Sequence, residues 1–278
     1  MREILSLPKE LDGKIWQYTF HANHFPNNKH RHDELEINLV TRGVGVYVLD
    51  ACKYELRRHS QVWLFPGQEH VLLNQSKDYE MWIAVFKPRL IRHYSMVGSK
   101  LREKNPAGEF CRNLASGQAE RVSQLFEEVS SAQQDTARYN AGLAYALVSA
   151  WAAHCSADNT ADSSNVHPSV EKAAKLMCNG DDRNLSLLAR EVGLSSWRLS
   201  RLFKEQTGVS LAEFRNRQRL QRFLNIYGNG RRYSLMEAAL ASGFGSYPQF
   251  HRFFCCAMNY NPAEHRRRVQ EDVKKTAR

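Results

Sequence analysis

Hydrophobic and polar positions follow two different periods along this chain. Residues 1–90 alternate in short runs rich in β-branched and aromatic side chains, at 15–20 (Ile-Trp-Gln-Tyr-Thr-Phe), 35–40, 44–49, 61–65 and 81–86. Gly43, Gly45, Pro66-Gly67 and Asn74 punctuate those runs. Side chains alternate across a strand, so this pattern predicts several short strands in an antiparallel barrel or sandwich. After Pro88 the spacing becomes helical. Val122, Leu125, Phe126 and Val129 share one face, and Leu143, Leu147, Val148 and Trp151 share another. Segment 156–167 is small, polar and short of apolar residues, the composition of a linker. From Pro168 onward the pattern predicts seven helices, near 168–179, 184–191, 196–206, 210–227, 234–242, 246–258 and 262–270. The expected fold class is therefore α+β and multidomain. Residues 1–155 form an antiparallel β-barrel with a helical part from about 90 to 155, residues 156–167 a linker, and residues 168–278 an all-α domain.

The helical third of the chain carries one pattern twice. Leu199-x-Arg201-x-Phe203 followed by Gly208 recurs, 51 residues on, as Phe250-x-Arg252-x-Phe254 followed by Asn259. An alanine and, four residues later, a glycine precede each copy: Ala189 with Gly193, and Ala239 with Gly243. A helix, a tight turn that needs a permissive backbone, and a second helix with one apolar face make a helix-turn-helix, a unit that places its second helix in the DNA major groove. Charge points the same way. Residues 165–278 hold 20 Lys/Arg against 10 Asp/Glu, whereas residues 1–164 hold 19 of each, so the whole formal excess of +10 sits on the repeated segment. Phosphate neutralisation requires such a segregation. The six cysteines show no CxxC or finger-like spacing and read as reduced structural thiols. With no apolar run of membrane-spanning length and no signal-peptide core, a cytoplasmic protein with no membrane partner is expected.

On the third predicted helix of the domain, Leu199, Leu202, Phe203 and Gln206 fall on the inward face. Trp197, Ser200, Arg201 and Lys204 form the outward stripe, with Arg198 beside it. In the second copy Phe250, Phe253, Phe254 and Ala257 point inward. His251 and Arg252 lie on the outward stripe with Pro248 and Cys255, and Tyr247 and Gln249 are adjacent. These residues are the expected contacts to double-stranded DNA, with the Arg201 and Arg252 guanidinium groups suited to base edges.

At these positions the chain resembles the AraC/XylS family of transcription regulators, over residues 168–268. The resemblance includes Gly193-Leu194-Ser195, Leu199 to Lys204, Ala239 through Gly243-Phe244, Phe250 to Phe254, and Asn261-Pro262. It implies a DNA-binding domain that places two recognition helices in successive major grooves on one face of the duplex. Three departures stand out: Cys255-Cys256 where the family usually has lysines, Asn259 for its glycine, and His265 for its aromatic residue. Asn tolerates the left-handed backbone, so the turn is expected to survive. The two thiols are read as small-residue packing, and the two missing cations should weaken phosphate contact by the second unit.

The strand-rich half carries a second constellation. His30, His32 and Glu36 share one face of an extended segment, and His70 follows Pro66-Gly67-Gln68-Glu69. This looks like the cupin barrel, whose two motifs supply His, His, Glu and His to a divalent metal. The last spacing is one residue tighter than usual, and Ser60 stands where glycine normally opens the second motif. The donor set suits Zn, Fe, Mn, Ni or Co. AraC-type sensor barrels also bind organic effectors without metal, so the same residues are candidates for a small-molecule pocket. Trp16, Tyr18, Trp63 and Trp82 are candidates to stack on such an effector, against ordinary core packing.

The leading expectation is a regulator, not an enzyme: a cupin-like effector domain coupled to a tandem helix-turn-helix domain. It is expected to activate transcription with RNA polymerase at a promoter or operator. A homodimer through Leu125, Phe126, Leu147 and Trp151 is one use of the 120–154 helices, and covering the barrel is the other. The alternatives are a metal-dependent cupin enzyme fused to a DNA-binding module, and a constitutive DNA binder. The repeated motif is more specific than the ligand cluster, which places the regulator first.

Overall fold

A computed structural model describes residues 7–19, 32–49, 52–68, 70–94, 99–103, 110–160, 163–178, 180, 183–228 and 230–276. The chain divides into two units between Val166 and His167. The first contains the strands β1 (Gly13–Thr19), β2 (Leu35–Arg42), β3 (Gly45–Leu49), β4 (Cys52–Leu56), β5 (Ser60–Leu64), β6 (His70–Leu73), β7 (Glu80–Phe86), β8 (Cys111–Asn113), β9 (Asn159–Thr160) and β10 (Ser163–Asn165). They pair antiparallel in two sheets, one ordered β1-β7-β2-β5-β8-β9 and the other β10-β4-β3-β6. Among the described residues three α-helices accompany them, α1 (Pro88–His93), α2 (Ser116–Ser131) and α3 (Thr136–Cys155), with a short 3-10 turn at Ser99–Arg102.

Strand alternation decides what each face of the larger sheet meets. Ile15, Leu35, Ile37, Leu39, Trp63, Phe65, Trp82, Ala84 and Phe86 join one buried cluster with Val122, Phe126, Leu143, Leu147 and Trp151 of α2 and α3. The helices therefore cover this face. The intervening residues of β2, Glu36 and Asn38, turn the other way, toward the smaller sheet, where the Asn38 amide reaches the Tyr47 hydroxyl of β3 at 3.1 Å. Both faces of the sheet are buried, so its strands read as nearly continuous apolar runs.

This arrangement corrects two expectations. Trp63 and Trp82 are not in the barrel interior. Trp63 packs edge-on to Trp151 at 4.9 Å between ring centroids and donates its indole N–H to Gln61. Trp82 meets Phe126 and donates to the Ser123 hydroxyl at 2.8 Å. Phe126, Leu147 and Trp151 are likewise buried against the sheet. Leu125 is partly buried against the same cluster, so these residues cannot form a dimer face.

Segment 156–167 is not a free tether. Asn159–Thr160 pairs with β8 at the edge of the larger sheet, and Ser163–Asn165 pairs with β4 at the edge of the smaller one. Strand pairing holds the polar middle of this stretch while Ala157 and Val166 are buried at its ends, which explains why no apolar alternation announced it.

The second unit is helical, with α4 (Pro168–Cys178), α5 (Leu185–Glu191), α6 (Ser196–Thr207), α7 (Leu211–Tyr227), α8 (Leu235–Ala241), α9 (Tyr247–Met258) and α10 (Pro262–Thr276). Six of their starts follow from local chemistry. Asn184, Ser195, Ser210, Ser234 and Ser246 each accept a backbone N–H as side-chain caps, and Asn261 accepts from Glu264. The turn glycines Gly193 and Gly243 have φ of 73° and 95°, and α6 and α9 end at Gly208 (φ 77°) and Asn259 (φ 57°). These left-handed positions are what the repeated Gly and Gly/Asn spacing predicted. His265 fills the place of an aromatic ring, with centroid distances of 5.5 Å to Phe254 and 5.8 Å to Tyr227. Among the described residues no helix is long and apolar enough to cross a membrane.

The pairing of Cys52 with Asn165 across β4 and β10 gives a direct test of the annexed strand. Directly opposed residues in an antiparallel pair lie within disulfide reach. Asn165→Cys should therefore cross-link to Cys52 under mild oxidation, seen by mass spectrometry as loss of both thiols in a monomer. Ser164→Cys, opposite Lys53 and on the other face, should stay reduced.

Candidate functional site

In α6 the inward residues Leu199 and Phe203 are completely buried, and Phe203 meets Phe214 of α7 at 5.3 Å. That packing turns the opposite stripe outward. Trp197 is 70 % exposed, and Arg198, Arg201 and Lys204 are also exposed, with Ser200 half-buried. An open cleft of about 740 Å³ runs beside this stripe, and the capping Ser210 and Arg215 of α7 extend its lining beyond Trp197, Arg201 and Lys204. The Arg201 guanidinium lies over the Trp197 ring at 5.5 Å, and its Nε donates to Glu205 at 2.7 Å. Glu205, one turn further along the helix, was not anticipated as part of the site. The Arg-to-Glu spacing of four is the signal that could have found it.

In α9, Phe250 and Phe254 are buried with Phe223 of α7, 4.4 Å from Phe250. His251 and Arg252 are exposed, as the repeat predicted. Tyr247 and Gln249 are half-buried. The Tyr247 ring packs on Phe250 at 5.6 Å, and the Gln249 side-chain oxygen accepts the Gly245 N–H. Cys255 is half-buried, with its Sγ 3.7 Å from His251 Nδ1. A second cleft, of about 520 Å³, adjoins this unit and is lined by Tyr247 together with Arg231, Arg232 and Arg266. Two cationic stripes, each backed by an aromatic core and joined by one helix, form a surface suited to a polyanion.

The other site lies between the two sheets. His32, Glu36 and His70 are buried, and their donor atoms all lie within 4.8 Å of one another. His32 Nε2 stands 2.9 Å from Glu36 Oε2, and Asn38 donates to the other carboxylate oxygen at 2.9 Å. Each imidazole Nδ1 faces a backbone carbonyl, His32 that of Glu34 at 3.0 Å and His70 that of Gln68 at 3.1 Å. The Gly67 N–H donates to the His32 carbonyl, tying the two ligand-bearing segments together. Burial presses the His32 imidazolium down. The hydrogen bond and charge of Glu36, with Glu34 behind, outweigh it, so His32 sits above the usual imidazole value. Burial first, and then the Glu36 charge, hold the Tyr47 phenol well above its ordinary range. His30 lies outside the described residues. Trp16 and Tyr18 occupy β1 positions that alternate with the helix-facing Ile15; both are half-buried, and Tyr18 accepts from Gln75 at 3.0 Å. Asn38 and Tyr47 were missed in the sequence. An asparagine two residues after Glu36 in an otherwise apolar strand was the available clue.

Comparison with known proteins places both halves. A family model described as an AraC-like ligand binding domain matches residues 17–150, and one described as a helix-turn-helix domain matches residues 188–268. Together they span more than three quarters of the chain. The chain belongs to the AraC family of transcription regulators. It is similar to the arabinose operon regulatory protein of Escherichia coli (strain K12), at 24 % identity over 87 % of this chain and 83 % of that one. It is also similar to the HTH-type transcriptional regulator YfiF of Bacillus subtilis (strain 168), at 23 % identity over 92 % of this chain and 83 % of that one. Among solved structures it matches ToxT from Vibrio cholerae O395, with a TM-score of 0.38 and 15 % identity over 93 % of this chain and 98 % of that one.

In this AraC-family regulator a helix-turn-helix DNA-binding domain is thus joined to an N-terminal ligand-binding domain, an architecture for effector-controlled transcription. The two outward stripes are not equivalent. Arg201 is engaged by Glu205, whereas the matching position four residues after Arg252 is Cys256, which cannot compete. Glu205→Gln should free Arg201 and remove a negative charge from the reading face. DNA affinity is expected to rise by up to about fivefold, the upper range for an exposed ion pair, with the gain shrinking as salt is raised. Fluorescence anisotropy at two ionic strengths would read it; an unchanged or weaker affinity would show that Glu205 does not restrain Arg201.

Proposed function

We propose that this regulator activates transcription by reading two successive major-groove segments with α6 and α9, under control of an effector held between the sheets of its N-terminal barrel. The observation that carries the reading is the recurrence of an exposed arginine, Arg201 and Arg252, at the same place on two helices whose opposite faces are locked into aromatic cores. The +10 charge of residues 165–278 supplies the non-specific attraction on which such reading is built. Arg201, Arg252, Lys204, Arg198 and His251 face outward, and Trp197 offers its ring face. Tyr247 and Gln249 orient the start of α9 and contact DNA with only part of their surface.

As an activator the protein works in the cytoplasm at a promoter and contacts RNA polymerase there. A homodimer would use the outward side of α2 and α3, where Tyr145 is 65 % exposed, and not the buried faces of those helices. The effector is a small molecule or a divalent metal, positioned by His32, Glu36 and His70 with Trp16 and Tyr18 as neighbouring candidates. The strands β9 and β10 are the route by which the barrel addresses the DNA-binding domain. No specific observation favours a cupin enzyme or a constitutive binder over this reading.

The test is selection of binding sites from random duplexes by the full chain, followed by footprinting. Two protected segments one helical turn apart, about 10 base pairs, are expected on one face. Arg201→Ala and Arg252→Ala should each weaken the specific site by about 5- to 150-fold and relax base preference in a different segment. Equal losses on random DNA would reduce that arginine to a backbone contact.

A further inference from the structure

We infer that the barrel binds a divalent first-row transition metal ion through His32, Glu36 and His70. The inference deepens the effector reading above, because it names the chemistry of the barrel's ligand, and it rests on that reading for its regulatory meaning but not for the site.

The donor set comes first. Two imidazoles and one carboxylate, all buried and with ligand atoms within 4.8 Å of one another, is an arrangement that a protein interior tolerates only with compensation. A buried carboxylate must be paired, hydrogen-bonded or coordinated. Nitrogen and oxygen donors in this ratio suit Zn²⁺, Fe²⁺, Co²⁺, Ni²⁺ or Mn²⁺ better than Ca²⁺ or Mg²⁺, which favour oxygen alone.

The tautomers come next. A ring nitrogen 3.0 or 3.1 Å from a backbone carbonyl must carry the proton and donate it. Both histidines satisfy this through Nδ1, so the ligating role falls to Nε2 in each. A metal-bound histidine characteristically donates its remote N–H to a backbone carbonyl or carboxylate, which fixes the ring and strengthens the ligand. Here two rings carry that support independently, His32 just ahead of β2 of the larger sheet and His70 at the start of β6 of the smaller one.

One of the ligand separations already has the dimension of a coordination sphere, and all three lie within 4.8 Å. With metal–ligand bonds of about 2.1 Å, adjacent ligand atoms lie about 3 Å apart in an octahedron and about 3.4 Å apart in a tetrahedron. The His32 Nε2 to Glu36 Oε2 separation is 2.9 Å. Glu36 Oε1 is held by the Asn38 amide, which in turn meets the Tyr47 hydroxyl, so the carboxylate is oriented with Oε2 toward His32. The Gly67 N–H bond to the His32 carbonyl holds the two segments at a fixed spacing. The three ligands found among the described residues leave further positions for another side chain, water or an organic anion.

The competing arrangement is a metal-free imidazolium of His32 paired with the Glu36 carboxylate, and the experiment separates the two. Full-length protein stripped with a chelator is titrated with Co²⁺ alone and, by competition with a chromophoric chelator, with Zn²⁺ alone. The expected result is one ion per chain, visible d–d bands for Co²⁺, and a higher melting temperature on Zn²⁺ addition. Asn38→Ala should weaken binding by about 10- to 100-fold, as loss of an orienting partner does. His32→Gln, Glu36→Gln and His70→Gln should each weaken it further, with circular dichroism confirming the fold. Absence of uptake by the wild-type chain at equimolar metal overturns the inference whatever the variants do, and so does undiminished uptake by folded His70→Gln. DNA binding is measured on the same samples. A chain that takes up metal but selects no DNA sinks the regulator reading and leaves the site standing, whereas specific DNA binding without metal uptake sinks this inference alone.

Discussion

The two apolar stripes of α7 are the constraint on which the DNA-binding unit depends. Phe214 and Phe223 are nine residues apart, two and a half helical turns, so they leave the helix on opposite sides. Leu211 and Phe214 serve the first helix-turn-helix, where Phe214 meets Phe203. Leu220, Phe223 and Tyr227 serve the second, where Phe223 sits against Phe250 and Phe254. One rigid element of 17 residues, about 25 Å long, therefore fixes the offset between the two reading helices. Neither α6 nor α9 could be reoriented without emptying an aromatic core, and a large-to-small change at such a buried ring costs about 3–5 kcal/mol.

That economy explains why the DNA-binding unit was legible in the sequence. Its signals are local: apolar residues at helical spacing, a serine or asparagine at each cap, and Gly193, Gly208, Gly243 and Asn259 where the backbone turns left-handed. The barrel was less legible because its decisive information is not local. Trp63 and Trp82 look like ligand-stacking residues in isolation, but a strand buried on both faces gives no hint of which face meets helices and which meets the other sheet. The short strand β4, Cys-Lys-Tyr-Glu-Leu, carries charge at alternate positions because it lies near an edge, and β9 and β10 carry no apolar residues at all. The His32, Glu36 and His70 set was readable as a set. Its support by Asn38, Tyr47 and the Glu34 and Gln68 carbonyls was not, since backbone carbonyls leave no mark in a sequence.

The position of that cluster bears on control. Glu36 belongs to the larger sheet and His70 to the smaller, so a ligand shared by both would be held across the gap between them. The stretch that follows α3 is stitched to both sheets in turn, first to β8 and then to β4. Tyr47 lies on β3, between β4 and β6, and so connects the cluster's hydrogen bonds to the strand that β10 pairs with. β9 and β10 thus border different sheets, and the chain enters the DNA-binding unit at His167, two residues after β10 ends.

Such a route transmits a signal only if the ligand binds one arrangement of the strands more tightly than another. The polar composition of 156–167 suits that requirement. Strands fastened by a few backbone hydrogen bonds, without a buried apolar side on β10 at Ser164 or Asn165, open at low free energy compared with the sheets they border. The larger sheet itself is braced by α2 and α3 through one buried apolar cluster. The weakest pairing of the barrel thus falls in the segment that joins the two units, and a ligand that favoured one arrangement of those strands would act there first.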